Sequence, residues 1–450
     1  MVFDNKNFKQ TELLRLTTAG SVDDGKSTLI GRLLFDCQAI YEDQLSSIVK
    51  ISQQRGLAEV DLSLLTDGLA AEREQLITID VAYRYLSIPG RRIIIADVPG
   101  HEQYTRNMVT GAAGADVALI LIDARHGLLT QSKRHLSIAS LLGIPHILIV
   151  VNKMDVVGYS QQVFEKIKKD IIDFSGRLNI QDLRFMPLSA LKGDMLVKRG
   201  KNLNWHQGET LLEYLQNLQL ADRHNSTDLR FPVQLVVRPD QSFRGYAGKI
   251  ESGSIKKGDE IIILPSRQQT KINSIFSAGR EVEEATAPES VILTLADKID
   301  VSRGDMIAKK ESLPSTVNVF EAIVCWFFEQ PLKEGQSYFI KQTTKTTRCF
   351  AEKINYRLDI NNLSGGPARQ LSFNEIGGVK IKTIEPLMVD PYARNRQTGS
   401  FILIDELTNQ TVGAGLVAEI LSGKLSASPI FAKAHFGFGK IANLLKRFLS

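Results

Sequence analysis

Cysteine is scarce, with Cys37, Cys325 and Cys349 the only three in 450 residues. None forms a CxxC pair and none has a histidine at metal-ligand spacing, so neither a disulfide framework nor a zinc cluster is expected. Three reduced thiols fit a cytoplasmic chain. Long apolar runs are missing as well: none approaches the roughly 18 residues that suggest a membrane span. The opening MVFDNKNFKQTE is polar and acidic in part, unlike a signal or transit peptide. Charge of one sign is not in excess. A net +5 is small for this length and calls for neither a nucleic-acid coat nor a strongly acidic substrate, though it excludes neither. There is no low-complexity tract and no short repeat.

What remains is an ordinary globular composition, 43% hydrophobic and 23% charged, in a chain long enough for two or three domains. The first half alternates short apolar runs (LLRLTTAG, RRIIIAD, VALILID, HILIVVNKMD) with helix-length stretches such as KSTLIGRLLFD and QSKRHLSIASLLG. That order predicts a mostly parallel sheet with helices on both faces, binding its ligand at the strand C-termini. Near residue 228 the texture changes to short strands punctuated by Gly, Pro and Ser, which predicts all-β barrels. The polar turn at 225–228 and LPS at 313–315 are natural boundaries. The expected division is an N-terminal extension over 1–12, a nucleotide domain over 13–225, barrels over 228–313 and 316–420, and a basic tail over 421–450.

GSVDDGKST follows the first strand and opens the first helix, matching GxxxxGK[ST] at Gly20, Gly25, Lys26 and Ser27. Glycine lets backbone N–H groups turn inward around phosphates, and the following helix presents its positive end. Ser21, Val22, Asp23 and Asp24 fill the loop and Thr28 follows it. Lys26 can reach the β- and γ-phosphates, and the Ser27 hydroxyl can ligate Mg²⁺. RRIIIADVPGHE then ends a strand on Asp97, followed by Pro99, Gly100 and His101. Asp97 can hold Mg²⁺ through water, Gly100 can offer its N–H to a γ-phosphate, and His101 can orient an attacking water. NKMD at 152–155 reads the base: Asp155 accepts from guanine N1–H and its 2-amino group, Asn152 holds the loop, and the Lys153 stem lies along the ring. PLSALKGD supplies Ser189 and Ala190, with backbone N–H groups for guanine O6, and Leu191 completes the nucleotide-binding set. In this order the motifs favour GTP over ATP.

GSVDDGKS, DVPGH, NKMD and SAL resemble the translation-factor branch of GTPases. DGLAAEREQ, ITIDVAYRY, HEQYTRNMVTGA, QPLKEGQSY, DINNL and TGSFILIDELTNQTVGAG resemble more narrowly the GTPase subunit of bacterial sulfate adenylyltransferases, from about residue 13 to 418. The resemblance implies an elongation-factor-Tu-like architecture and a separate catalytic small subunit as partner. That subunit joins ATP and sulfate into adenosine 5′-phosphosulfate and pyrophosphate, an uphill step driven by GTP hydrolysis here. It further implies that Thr78 joins Ser27 on Mg²⁺, that Lys26 and His101 serve catalysis with Gly100, and that Asp23 helps hold a monovalent cation.

One departure stands out. Where this family has glycine, QLITID carries Leu76, two residues before Thr78. In a left-handed backbone a leucine costs on the order of 1–2 kcal/mol, so a slower or less readily ordered switch is expected. Met195 stands where a polar residue is usual. Two other readings follow: a GTP-binding assembly subunit whose turnover Leu76 has cost, and a translation-type GTPase that binds RNA. No nucleic acid is expected on the leading reading. No adenylylsulfate kinase activity is expected either, because no second GxxxxGK[ST] follows residue 418. The tail KIANLLKRFLS reads as an end packing on its own domain or as a docking helix.

Overall fold

The computed structural model describes residues 12–54, 56, 60–65, 80–220, 227–240 and 243–418. Thr78, Leu76 and the basic tail lie outside them. The chain divides into two compact units, one of Met1–Ala221 with Ile360–Leu363 and Phe431–Ser450, the other of Asp222–Asp359 and Ser364–Ile430.

The first unit is built on six strands: β1 (Glu12–Gly20), β2 (Ala82–Ile88), β3 (Arg91–Asp97), β4 (Val117–Asp123), β5 (His146–Asn152) and β6 (Asp182–Pro187). They lie in the order β2-β3-β1-β4-β5-β6, all parallel except β2, which runs against β3. VALILID is buried at every position of β4, the pattern of a strand covered on both faces. β2 alternates instead: Tyr83, Tyr85 and Ser87 are exposed and the residues between them half-buried or buried, as on an edge strand. The helices are α1 (Lys26–Asp36), α2 (Glu42–Gln54), α3 (Thr105–Ala112), α4 (Thr130–Leu141), α5 (Gln161–Ser175) and α6 (Leu211–Asn217). Their starts are written locally. Ser160 caps α5 by accepting from Val163 N–H, and Thr210 with Glu213 forms a capping box on α6.

The second unit holds two closed barrels. The first consists of β7 (Phe231–Val237), β8 (Gly245–Lys249), β9 (Glu260–Leu264), β10 (Gln268–Ser277), β11 (Ser290–Leu295) and β12 (Met306–Lys309). It closes because β9 pairs with both β10 and β12. The second consists of β13 (Ser315–Trp326), β14 (Ser337–Gln342), β15 (Lys345–Asp359), β16 (Ile376–Val389), β17 (Ser400–Ile404) and β18 (Thr411–Val417). It closes through β14, paired with β15 and β17. Each is filled by its inward residues, Phe231, Tyr246, Ile263 and Leu293 in one, and Trp326, Ile340, Val379 and Leu403 in the other.

Between the barrels lies a buried polar joint. Arg230, wholly buried, donates from Nε and Nη2 to the two carboxylate oxygens of Asp390 at 2.7 and 2.9 Å, and from Nη1 to the carbonyls of Leu229 and Ser312. Thr398 Oγ1 donates to the same carboxylate. An apolar seam of Ile262, Leu264, Met306 and Met388 lies in the same unit.

Candidate nucleotide site

The sheet register sets the C-terminal ends of four strands side by side. Thr18 is level with Asp97, Gly20 with Leu121, and Asp123 with Asn152. Chain order turns left and right from β1, so the loop after Gly20 stands at the switch point where open α/β sheets bind ligands.

That loop is conformationally demanding. Gly25 takes φ 88°, and a side chain there would bring its Cβ within 2.5 Å of Asn152 Nδ2, so only glycine fits on two counts. Asp23 is left-handed as well, with φ 63°, a region aspartate visits more readily than most residues. Asp24 braces the loop by accepting from Ser21 N–H at 2.6 Å. Burial lifts its carboxyl to about 6, against the pull of Lys26. Ser21 meets Ser132 of α4, hydroxyl to hydroxyl at 3.4 Å. On the same helix His135 is wholly buried and held near 3 by burial and the positive charges of Lys26 and Arg134.

Lys26 lies over the loop, its Nζ donating to the carbonyls of Gly20 at 3.1 Å and Ser21 at 2.9 Å. Burial lowers its affinity for a proton, and Asp97, Asp24 and Asp23 resist that. Gly100 packs directly against it: a Cβ there would fall 2.5 Å from Lys26 Nζ and 2.8 Å from the Gly20 carbonyl. Asp97 is fully buried at the end of β3 and accepts from Thr18 Oγ1 at 3.0 Å. Pro99 is buried, while His101 is half-buried with its ring edge-on to Tyr104, 6.2 Å between centroids. Ser27 and Thr28 stand half-buried in the first turn of α1, and Val22 and Asp23 are exposed.

Asn152 ties the site together. Its Nδ2 donates to the Asp24 carbonyl at 2.8 Å and its Oδ1 accepts from Ala190 N–H at 2.9 Å, an orientation that satisfies both ends of the amide. The Ala190 N–H, expected to face guanine O6, is therefore engaged by Asn152. Ser189 Oγ donates to Asp155 Oδ1 at 2.6 Å and fixes that carboxylate. Leu191 is half exposed and its carbonyl accepts from Arg32 Nη1. Lys153 has φ 61°, unfavourable for a lysine, and its Nζ is pinned 3.0 Å from Asp123 Oδ2. Burial raises the Asp123 carboxyl, but hydrogen bonds from Arg125 and Lys153 outweigh that and hold it well below the usual carboxylate range.

The segments that carry the sequence-derived residues thus follow the C-terminal ends of β1, β3, β5 and β6. Sequence reasoning missed Asp24 as a brace, Asp123 as the anchor of Lys153, and Ser132. Asp123 carried a signal, an acid ending a fully apolar strand beside NKMD. Met195, odd in sequence, is core: it is completely buried.

The donors near the phosphate loop, the Ser27 hydroxyl and the Asp97 carboxylate, are hard oxygens and fit Mg²⁺. Among the described residues no cluster of His, Cys, Asp and Glu suits another metal, and no helix is long and apolar enough to cross a membrane.

Sheet order, phosphate loop and base-side motif define a GTP-binding domain followed by two barrels, the class of elongation factor Tu. The family description "Elongation factor Tu GTP binding domain" matches residues 11–221, "Elongation factor Tu domain 2" residues 246–308, and "GTP-eEF1A C-terminal domain-like" residues 319–418. Sulfate adenylyltransferase subunit 1 of Pseudoalteromonas atlantica is 50% identical over 92% of this chain and 88% of its own. That of Alteromonas mediterranea is 48% identical over 96% and 93%. The bifunctional enzyme CysN/CysC of Mycobacterium tuberculosis is 50% identical over 92% of this chain and 68% of its own. The chain belongs to the sulfate adenylyltransferase subunit 1 family.

Proposed function

We propose that this chain is the GTP-hydrolysing subunit of a cytoplasmic sulfate-activating complex. It couples GTP hydrolysis to formation of adenosine 5′-phosphosulfate and pyrophosphate from ATP and sulfate on a separate catalytic subunit. The observation that carries the reading is the clamp centred on Asn152, which joins the phosphate loop to the base-side segment in a chain about half identical to subunit 1 relatives. The domain division at 225–228 and 313–316 is part of the proposal.

In this reading the loop N–H groups, Lys26 and the α1 N-terminus hold the triphosphate. Ser27, Thr78 and, through water, Asp97 would hold Mg²⁺, which would supply charge neutralisation at the phosphates. Asp155, kept in place by Ser189, accepts from guanine N1–H and the 2-amino group; adenine has an acceptor at N1 and no such amine. Gly100 offers its N–H to the γ-phosphate at the point where it packs on Lys26. His101 orients the water that attacks the γ-phosphorus, and the bond to the β,γ-bridging oxygen breaks to leave GDP and phosphate. Asp23 would help hold a monovalent cation. No nucleic acid takes part.

Leu76 supports a second reading, a GTP-binding assembly subunit with impaired turnover. Steady-state hydrolysis by the parent and by Leu76→Gly, with and without catalytic subunit, ATP and sulfate, separates the two. Stimulation of the parent by the full mixture supports coupling. A parent that binds GTP but stays inert while Leu76→Gly responds supports the second reading.

A further inference from the structure

Among the described residues, one face of the first sheet carries a helix at one end only. Alternation places Tyr83 and Tyr85 of β2, Ile94 and Arg92 of β3, and Arg15 of β1 on that face. The register sets Tyr85 beside Ile94 and Ile94 beside Arg15. Tyr83 is 49% exposed and Tyr85 71%, on an edge strand, where charged residues are the usual protection. Paired exposed aromatics at such an edge mark an interaction surface more often than chance.

Helix α3 covers only one end, and two glycines shape the result. Gly111 lies so close that a Cβ would come within 2.5 Å of Val98 and 3.2 Å of Val81. At Gly114 a Cβ would meet only Arg15 Cδ, at 4.0 Å. This leaves a hollow of about 430 Å³ between the tyrosines, Ile94 and the helix end. Arg15 and Arg92 are exposed. Among the described residues neither guanidinium has an ion-pair or hydrogen-bond partner, and the strand positions of this face carry no acid. The face is therefore apolar at its centre and positive at its side.

We propose that this face docks an acidic segment of a protein partner, an apolar side chain entering the hollow and carboxylates pairing with Arg15 and Arg92. The partner is the catalytic subunit, and this choice rests on the functional reading above. The location explains how such a partner senses the nucleotide. β2 begins four residues after Thr78, α3 begins four residues after His101, and Gly111 of α3 packs on Val81, just before β2, and on Val98, just after β3. Pressure on the face bears on the two segments that flank the γ-phosphate. A single-stranded nucleic acid would also stack on exposed tyrosines, but a concave apolar hollow flanked by only two cations suits an inserted side chain better.

The test uses the full-length chain and the purified catalytic subunit, comparing the parent with Tyr83→Ser/Tyr85→Ser and with Arg15→Glu/Arg92→Glu. Each pair of substitutions is expected to weaken subunit binding at least about tenfold, to abolish stimulation of hydrolysis, and to leave GTP affinity and unstimulated hydrolysis unchanged. Tyr85→Phe and Arg15→Lys are expected to keep binding within about twofold, and added salt to weaken the parent more than the arginine variant. A parent that binds while both double variants bind equally well overturns the docking face alone. A parent that never binds overturns the functional reading with it. Oligouridylate binding by the parent, lost in the tyrosine variant, assigns the face to nucleic acid and overturns the proposal.

Discussion

At the scale of single residues, the site depends on side chains that answer to each other more than to a ligand. Asp155→Asn keeps an acceptor for Ser189 Oγ but replaces one base-facing acceptor with a donor. Since two charge-assisted hydrogen bonds are at stake at about 1.5–3 kcal/mol each, GTP affinity should fall about 100-fold or more with the folded state intact; calorimetric titration with GTP against thermal unfolding checks this. Asp24 gives a pH signature. Its carboxyl is raised to about 6 from an ordinary 3.8, so between those values the folded state holds the extra proton and stability falls as pH rises. Asp24→Asn should therefore raise the unfolding midpoint at pH 7, by an amount equivalent to on the order of 3 kcal/mol, and the gain should close as pH drops toward 4. A midpoint difference independent of pH contradicts it.

At the scale of elements, much was legible. RRIIIAD, VALILID and HILIVVN are β3, β4 and β5, and KSTLIGRLLFD is α1, because period and composition there agree with tertiary burial. The phosphate loop was readable since its glycines are required by backbone geometry that few other sequences satisfy. What could not be read are pairings fixed only by the folded chain. Asn152 was recognisable as a loop holder, but not that its partners are Asp24 and Ala190, 128 and 38 residues away. Likewise nothing near Arg230 announces Asp390, 160 residues on. Removing one member of that buried pair strands the other, at a cost of about 3–5 kcal/mol. Arg230→Ala should lower the denaturant midpoint of the second unit accordingly. Replacing Arg230 and Asp390 together with apolar residues should recover much of the loss. Additive losses in that double-mutant cycle contradict a direct pair.

At the scale of the whole molecule, the account rests on hydrolysis at one site being spent on chemistry at another. The chain supplies a GTP site and two barrels, and its family is that of sulfate adenylyltransferase subunit 1. Coupling of this kind makes the product level, and not merely the rate, depend on GTP turnover. The most direct measurement is adenosine 5′-phosphosulfate accumulated from ATP and sulfate by the assembled complex, with GTP and with a non-hydrolysable GTP analogue. The account predicts accumulation beyond the analogue's plateau only when GTP is hydrolysed, with GDP released in step. An equal plateau under both conditions would contradict it.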